Sequence, residues 1–263
     1  MKDYGLVSIV MPCFNTAQYI GDSIRSVINQ TYDNWELLIV DDCSTDDSIF
    51  IIKEFKEPRI KLFQNEKNSG AAVSRNYALR EAKGRWIAFL DSDDVWSHEK
   101  LEKQLEFMND NQYSFTYTDY RICENGKWLP YINTGPDKVN KRVMFNYCYF
   151  STITVMYQRE KVGLIQIPDL KKNNDYAMWL RVIEKSDAYR LPECLSFYIK
   201  HDGSISSGSK FNLIKWHYAL FRIGQGMNPL MSTVLTLNNL IHGIWKKYHY
   251  REYVREGEQL VTI

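Results

Sequence analysis

Four short apolar runs alternate with helix-period segments over the first hundred residues, and that alternation leaves few folds open. Residues 6–12 (LVSIVMP), 35–41 (WELLIVD), 59–64 and 86–90 (WIAFL) read as strands. Between the first two, Ala17, Ile20, Ile24, Val27 and Ile28 recur at helical spacing. Ser44, with Asp47 three residues on, reads as an N-cap that opens a second helix through Phe55. Ser69-Gly70-Ala71-Ala72 opens a third helix, and a fourth runs over residues 99–109. Strands and helices in this rhythm predict an α/β fold with a mostly parallel sheet flanked by helices.

Beyond residue 110 the rhythm changes. Residues 112–119 (QYSFTYTD) alternate with period two, as a half-buried strand does. Asn125-Gly126 is a hairpin signal leading into a strand over 127–132. Residues 133–142 read as a loop, 151–157 as a strand, 174–185 as a helix and 194–200 as a strand. A Gly/Ser-rich stretch at 204–209 marks the expected boundary, near 203–210. Two helical stretches follow, 211–223 and 230–247, the second opened by Asn228-Pro229 as N-cap and first helical residue. The expected organisation is one domain over 1–203, in two halves (1–110 and 111–203), and a C-terminal helical extension over 210–263.

Charge excludes some partners. With Lys+Arg 33 against Asp+Glu 32, the chain has no bulk attraction for nucleic acid, and none is expected as a partner. The five cysteines are scattered with no C-x-x-C spacing, which fits a reducing compartment better than a zinc site or a disulfide framework. The apolar run at 6–11 is too short for a signal peptide and lacks a basic leader, and no stretch is long enough to span a bilayer. A cytoplasmic protein is expected. Basic and aromatic residues at 246–251, beside a helix with Leu230, Val234, Leu237, Ile241 and Trp245 at helical spacing, leave two further options open. One is peripheral contact with the inner face of the plasma membrane; the other is packing on the protein or on a second copy in a homo-oligomer.

In an open parallel sheet, ligands bind beyond the carboxyl ends of the strands. There the sequence puts Pro12, Phe14 and Asn15 after the first strand, Asp41-Asp42 after the second, and Asp91-Ser92-Asp93-Asp94 after the fourth. Carboxylates gathered this closely require a neutralising cation or donor groups. Mn²⁺ or Mg²⁺ with a phosphate-bearing ligand is the natural choice, since hard cations take oxygen ligands.

These blocks resemble family-2 glycosyltransferases with the GT-A fold. The resemblance lies in residues 8–15 (SIVMPCFN), 40–46 (VDDCSTD), Asn68-Ser69-Gly70, Ser74-Arg75-Asn76 and 89–94 (FLDSDD), in order and at the family's spacing. It resumes more loosely at 174–181 (NDYAMWLR). Position 43 is Cys where the family often has Gly, and position 174 is Asn where it often has an acid. The resemblance implies a bacterial enzyme of surface-polysaccharide assembly: an inverting, metal-dependent, hexosyltransferase-type enzyme using a nucleotide-sugar donor, a UDP-sugar foremost. The acceptor it implies is a saccharide, lipid-linked or free. The half over 1–110 would then hold the donor and the half over 111–203 the acceptor. Pro12, Phe14, Asn15 and Asp42 would hold the base, with Asp42 accepting from uracil N3–H. Asp91 would approach the ribose, with Ser92 beside it. Asp93 of the D-x-D motif would bind the metal, assisted by Asp94, and His201 would reach the metal or diphosphate. Arg75 would pair with the diphosphate or with Asp91.

Asp175 is the expected general base, because an acceptor hydroxyl needs a carboxylate within reach to take its proton. Tyr176 and Trp179 would form the acceptor platform. The residue at 174 also motivates an alternative, a catalytically inactive nucleotide- or glycan-binding module of the same fold. A phosphorylatable receiver domain shares the strand-end Asp pair, but the D-x-D cluster and the region after 110 count against it. A nucleotidyltransferase would need a Gly-rich, Lys-bearing phosphate loop near the first strand, and none is present there.

Overall fold

The computed structural model describes residues 2–168, 170, 172–201 and 211–254. Strands β1 (Val7–Cys13), β2 (Trp35–Asp41), β3 (Ile60–Gln64) and β4 (Trp86–Phe89) form a parallel block in the order β3-β2-β1-β4. Every residue of β1, β2 and β4 is buried. Burial on both faces is why these strands read as unbroken apolar runs. Ile9, Leu37 and Ala88 point into one core and Val10, Leu38 and Phe89 into the other. Helices α1 (Ile20–Ile28) and α4 (Lys100–Asp110) pack on the first face, α3 (Ala71–Glu81) on the second; α2 (Ser48–Glu54) packs against α1. The strand order reverses at β1, so a crevice opens beyond its carboxyl end.

The second half joins this block largely antiparallel. β9 (Val155–Gln158) pairs with β4, and β6 (Phe115–Glu124) pairs with β9 and then with β7 (Lys127–Asn133). Along its other edge β6 takes β10 (Ala188–Lys200) in parallel, and β10 takes β5 (Val95–Trp96) and β8 (Lys138–Val139) antiparallel. The β6–β7 turn has Asn125 at φ 51° and Gly126 at φ 75°, the left-handed pair that a two-residue hairpin demands. Helices α5 (Lys141–Asn146), α6 (Arg159–Val162) and α7 (Asn174–Val182) flank this half. The last elements among the described residues are α8 (Phe211–Ala219), a π-helical turn over 220–224, α9 (Pro229–His249) and β11 (Arg251–Tyr253).

Several boundaries differ from the sequence expectation. α2 begins at Ser48, not near Ser44, because Ser44 Oγ accepts from Asn15 N (2.9 Å) while Asp46 Oδ1 accepts from Ser48 N (3.0 Å). The expected loop at 133–142 contains β8 and the start of α5, which Asn140 caps by accepting from Val143 N. Residues 152–154 form a 3₁₀ turn, so β9 starts at Val155. β10 begins six residues before the expected strand and is irregular around Leu191–Ser196, where Pro192 has no N–H to give the ladder. The C-terminal segment is not wholly helical: β11 returns to pair with β7. The expected boundary at 203–210 lies outside the described residues. No helix among those described is long and apolar enough to cross a membrane.

Lys100 is a costly group to hold in the core. It is fully buried; its ammonium donates to Gln104 Oε1 (2.7 Å) and lies 4.1 Å from the Trp96 ring centroid. Burial pulls its pKa down from 10.5 to about 7. The folded value lies below the unfolded one, so the unfolded chain binds more protons between about pH 7 and 10.5, and stability from this group rises with pH across that window. Lys100→Met is expected to raise stability at pH 7 by at least about 1 kcal/mol and to flatten the rise. Urea midpoints at the two ends of the window test both.

Candidate active site

The loops after β1 and β2 are tied to each other. Asn15 takes a left-handed conformation (φ 51°), donates its N–H to Ser44 Oγ (2.9 Å) and accepts from Thr45 N on Oδ1 (2.8 Å). Phe14 beside it is 46% exposed, whereas Pro12 is buried in β1, past the last residue that β4 pairs. Cys43 also has φ 64°, a region that favours glycine. Asp42 is buried, and its carboxylate accepts from Asn65 Nδ2 (2.7 Å), Ser69 N (2.8 Å) and Gly70 N (2.7 Å). These bonds fasten the entrance of α3 to the end of β2 and leave roughly one of the four lone-pair sites for a ligand.

Around the end of β4 the expected cluster divides. Arg75, on α3, is buried and forms an ion pair with Asp91, whose side chain remains partly exposed. Burial opposes the Arg75 charge, but Asp91, then Asp175 and Asp93, more than offset it and hold its pKa above the ordinary value. Asp93 Oδ2 lies 3.0 Å from His201 Nε2, and the His201 ring stacks on Tyr19 with centroids 4.5 Å apart. Burial pushes the Asp93 carboxyl up and the neighbouring Asp91 adds to it, with His201 partly offsetting them. The structure thus brings together Arg75, Asp91, Asp93, His201 and Asp175, residues from four separate stretches of chain.

Asp175 sits in the first turn of α7. Its Oδ1 accepts from Tyr176 N (2.8 Å) and its Oδ2 from Thr152 Oγ1 (3.2 Å). Asn173 at φ 56° turns the chain into the helix. Asn174 is directed to the backbone, donating to Leu170 O.

Four expected roles are corrected. Asp94 is fully buried and its Oδ1 accepts from Ile199 N (2.7 Å), so it ties β10 to the β4 loop. Ser92 is buried and accepts from Thr16 Oγ1 (3.0 Å), bracing the loop against the start of α1. Tyr176 and Trp179 are no acceptor platform. The Tyr176 hydroxyl donates to Met144 O (2.5 Å) and accepts from Asn239 Nδ2 (2.9 Å), and Trp179 is 1% exposed among Phe89, Phe115 and Phe150. Conversely, Thr152, Asn65 and Tyr19 support site residues and went unread; a Thr or Asn outside a charged motif carries no local signal.

Among the described residues no three His, Cys, Asp or Glu groups converge as a complete metal cage. The donor set still fits a hard divalent cation. Such an ion takes one or two carboxylates and completes its shell with water and substrate phosphate oxygens. Asp93 is a half-buried carboxylate that is costly to ionise, beside an imidazole nitrogen, which is what a cation would relieve.

The sequence of the chain matches the family model described as glycosyl transferase family 2 over residues 8–164, from the second residue of β1 to just beyond α6. The chain belongs to glycosyl transferase family 2. A relative in Escherichia coli, the UDP-Glc:alpha-D-GlcNAc-diphosphoundecaprenol beta-1,3-glucosyltransferase WfgD, is 40% identical over 253 residues, covering 94% of this chain and 96% of its own. Two solved structures share the GT-A fold of this family-2 glycosyltransferase. Staphylococcus aureus TarS 1–349 in complex with UDP-GlcNAc matches with a TM-score of 0.72 at 22% identity, over 89% of this chain and 71% of that one. A Pyrobaculum calidifontis mannosyltransferase, PcManGT, in complex with GDP-Man and Mn²⁺, matches with a TM-score of 0.65 at 16% identity, over 92% and 72%.

Proposed function

We propose that this family-2 glycosyltransferase moves a sugar from a UDP-sugar, with inversion, onto a hydroxyl of a lipid-linked saccharide in the assembly of a surface polysaccharide. The observation that carries the reading is the buried Arg75, whose charge is held by Asp91, Asp175 and Asp93 together. An ion pair with Asp91 and the influence of Asp93 and Asp175 on the same guanidinium support a site in which donor-side carboxylates and base lie near each other, as a single displacement requires. The choice of UDP and of a diphosphate-lipid acceptor is supported by the activity that the Escherichia coli relative is named for, a protein that matches nearly the whole chain.

In this reading the loops after β1 and β2 take the nucleotide base, with Phe14 against its face, Asn15 and Pro12 shaping the loop, and Asp42 giving its remaining lone pair to the uracil N3–H. Asp91, oriented by Arg75, takes the ribose. Asp93 and His201 would hold Mn²⁺ or Mg²⁺, which when bound would supply positive charge to offset that developing on the leaving diphosphate. Asp175, fixed by Thr152 and Tyr176 N, accepts the proton of the attacking hydroxyl. Attack from the face opposite the diphosphate by one hydroxyl gives inversion, since no enzyme nucleophile intervenes.

Asp93→Ala is expected to weaken Mn²⁺-dependent UDP binding at least about tenfold, the loss of one charge-assisted ligand. Calorimetry with and without Mn²⁺ tests this; UDP binding indifferent to both the ion and the substitution would reject the assigned site. A screen of UDP-, GDP- and TDP-sugars against a GlcNAc-diphosphate-lipid acceptor tests the reaction. Donor binding without transfer to any saccharide would instead favour an inactive binding module.

A further inference from the structure

The long C-terminal helix is packed inside out. Leu230, Val234, Leu237, Ile241, Ile244 and Tyr248 follow alternating spacings of four and three, so they share one face of α9, and each is 53–81% exposed. Toward the protein, the residues of α9 that are fully buried are polar, Ser232, Thr236 and Asn239, with Leu235 partly buried against the core. On α8, which packs against α9, Leu213 and Ile214 are exposed as well. An exposed apolar stripe of this length along a helix marks an interaction site.

Charge identifies what covers it. From Phe211 to Arg251 the sequence contains no Asp or Glu. Lys215, Arg222 and Lys247 are exposed over the same stretch. Lys246, by contrast, turns inward and donates to Tyr149 O (2.6 Å). A second copy laid along this face would bring cations against cations with no acid to pair them, whereas anionic headgroups around an apolar interior complement both features. We infer that the α8–α9 face docks on an anionic lipid surface, with the apolar stripe of α9 in the interfacial layer and Lys215, Arg222 and Lys247 at the headgroups.

The inner face couples this surface to the site. Asn239 Nδ2 donates to the Tyr176 hydroxyl (2.9 Å), one residue from Asp175, and Lys246 bonds the segment between α5 and β9. Docking through α9 therefore sets the base at a fixed height above the lipid, where a lipid-linked acceptor presents its sugar. That last step rests on the proposed acceptor; the docking itself does not.

The test is flotation of the full chain, with no donor or acceptor, on phosphatidylcholine vesicles with and without phosphatidylglycerol, alongside solution mass. The expected result is a monomer that binds only the phosphatidylglycerol vesicles and releases as salt rises. Leu237→Ser with Ile241→Ser, both on the exposed face, should weaken binding at least tenfold and leave the melting temperature unchanged; Lys247→Gln should weaken it about fivefold. A chain that ignores anionic vesicles at low salt overturns the inference. So does a dimer that the double substitution converts to monomer, which would assign the face to a second copy. Transfer to a water-soluble acceptor, measured in parallel, separates the two readings. Transfer without vesicle binding removes the docking alone, and vesicle binding without transfer removes the proposed reaction alone.

Discussion

Asp175→Asn is expected to lower kcat by at least about 10²-fold while leaving the affinity for UDP unchanged. The amide keeps the shape of the carboxylate but cannot take a proton. Its oxygen can still accept from Tyr176 N, and the Thr152 hydroxyl, which donates to the carboxylate, can accept from the new amide. The helix start should therefore hold, and the loss should appear in turnover rather than in folding or donor binding. Single-turnover rates with saturating donor, beside calorimetric UDP titrations, separate the two. A variant within tenfold of the parent would end the assignment. The exposed Glu184 is a poor substitute, because it is paired with Lys141 on the outer surface (2.7 Å); Asp169, a second fallback in sequence, lies outside the described residues.

What the sequence made legible follows from burial. β1, β2 and β4 are covered on both faces, so composition alone marks them, and Asn125-Gly126 marks its hairpin because few residues tolerate its backbone. β10 and β11 were harder. One is interrupted at Pro192, and the other is three residues long, set by pairing with a strand more than a hundred positions away. Within the site, residue types were legible and directions were not. Asp93 and Asp94 are adjacent, yet the turn closed by Asp94 N donating to Asp91 O sends one toward His201 and the other toward Ile199 N. No local pattern distinguishes them, since the partner of each lies over a hundred residues on. The apolar stripe of α9 was equally visible in sequence, but periodicity gives a stripe and not the side it faces.

Helical periodicity accounts for the core position of Tyr176 and Trp179. Tyr176, Trp179, Leu180 and Ile183 recur at the spacing of one helical face, and all four are buried in one core. Trp179 packs edge-on against Phe89 with ring centroids 5.2 Å apart, and lies 6.0 Å from Phe115 and 6.1 Å from Phe150. Removing it would empty the junction between α7 and the strands β4 and β6. Trp179→Ala is therefore expected to cost about 3–5 kcal/mol, the usual range for a buried Trp cut to Ala. In a chain of this size that lowers the melting temperature by roughly 10 °C. A sugar platform at the cleft mouth would behave otherwise, with KM for the acceptor raised and the melting temperature unmoved. Trp179→Phe sharpens the contrast. Indole Nε1 has no hydrogen-bond partner here, so a phenyl ring forfeits volume but no hydrogen bond and should recover most of the stability. Stacking on a sugar would be only partly restored. Thermal unfolding and acceptor KM of the two variants decide between the roles: an unchanged melting temperature in Trp179→Ala would return this residue to the acceptor site.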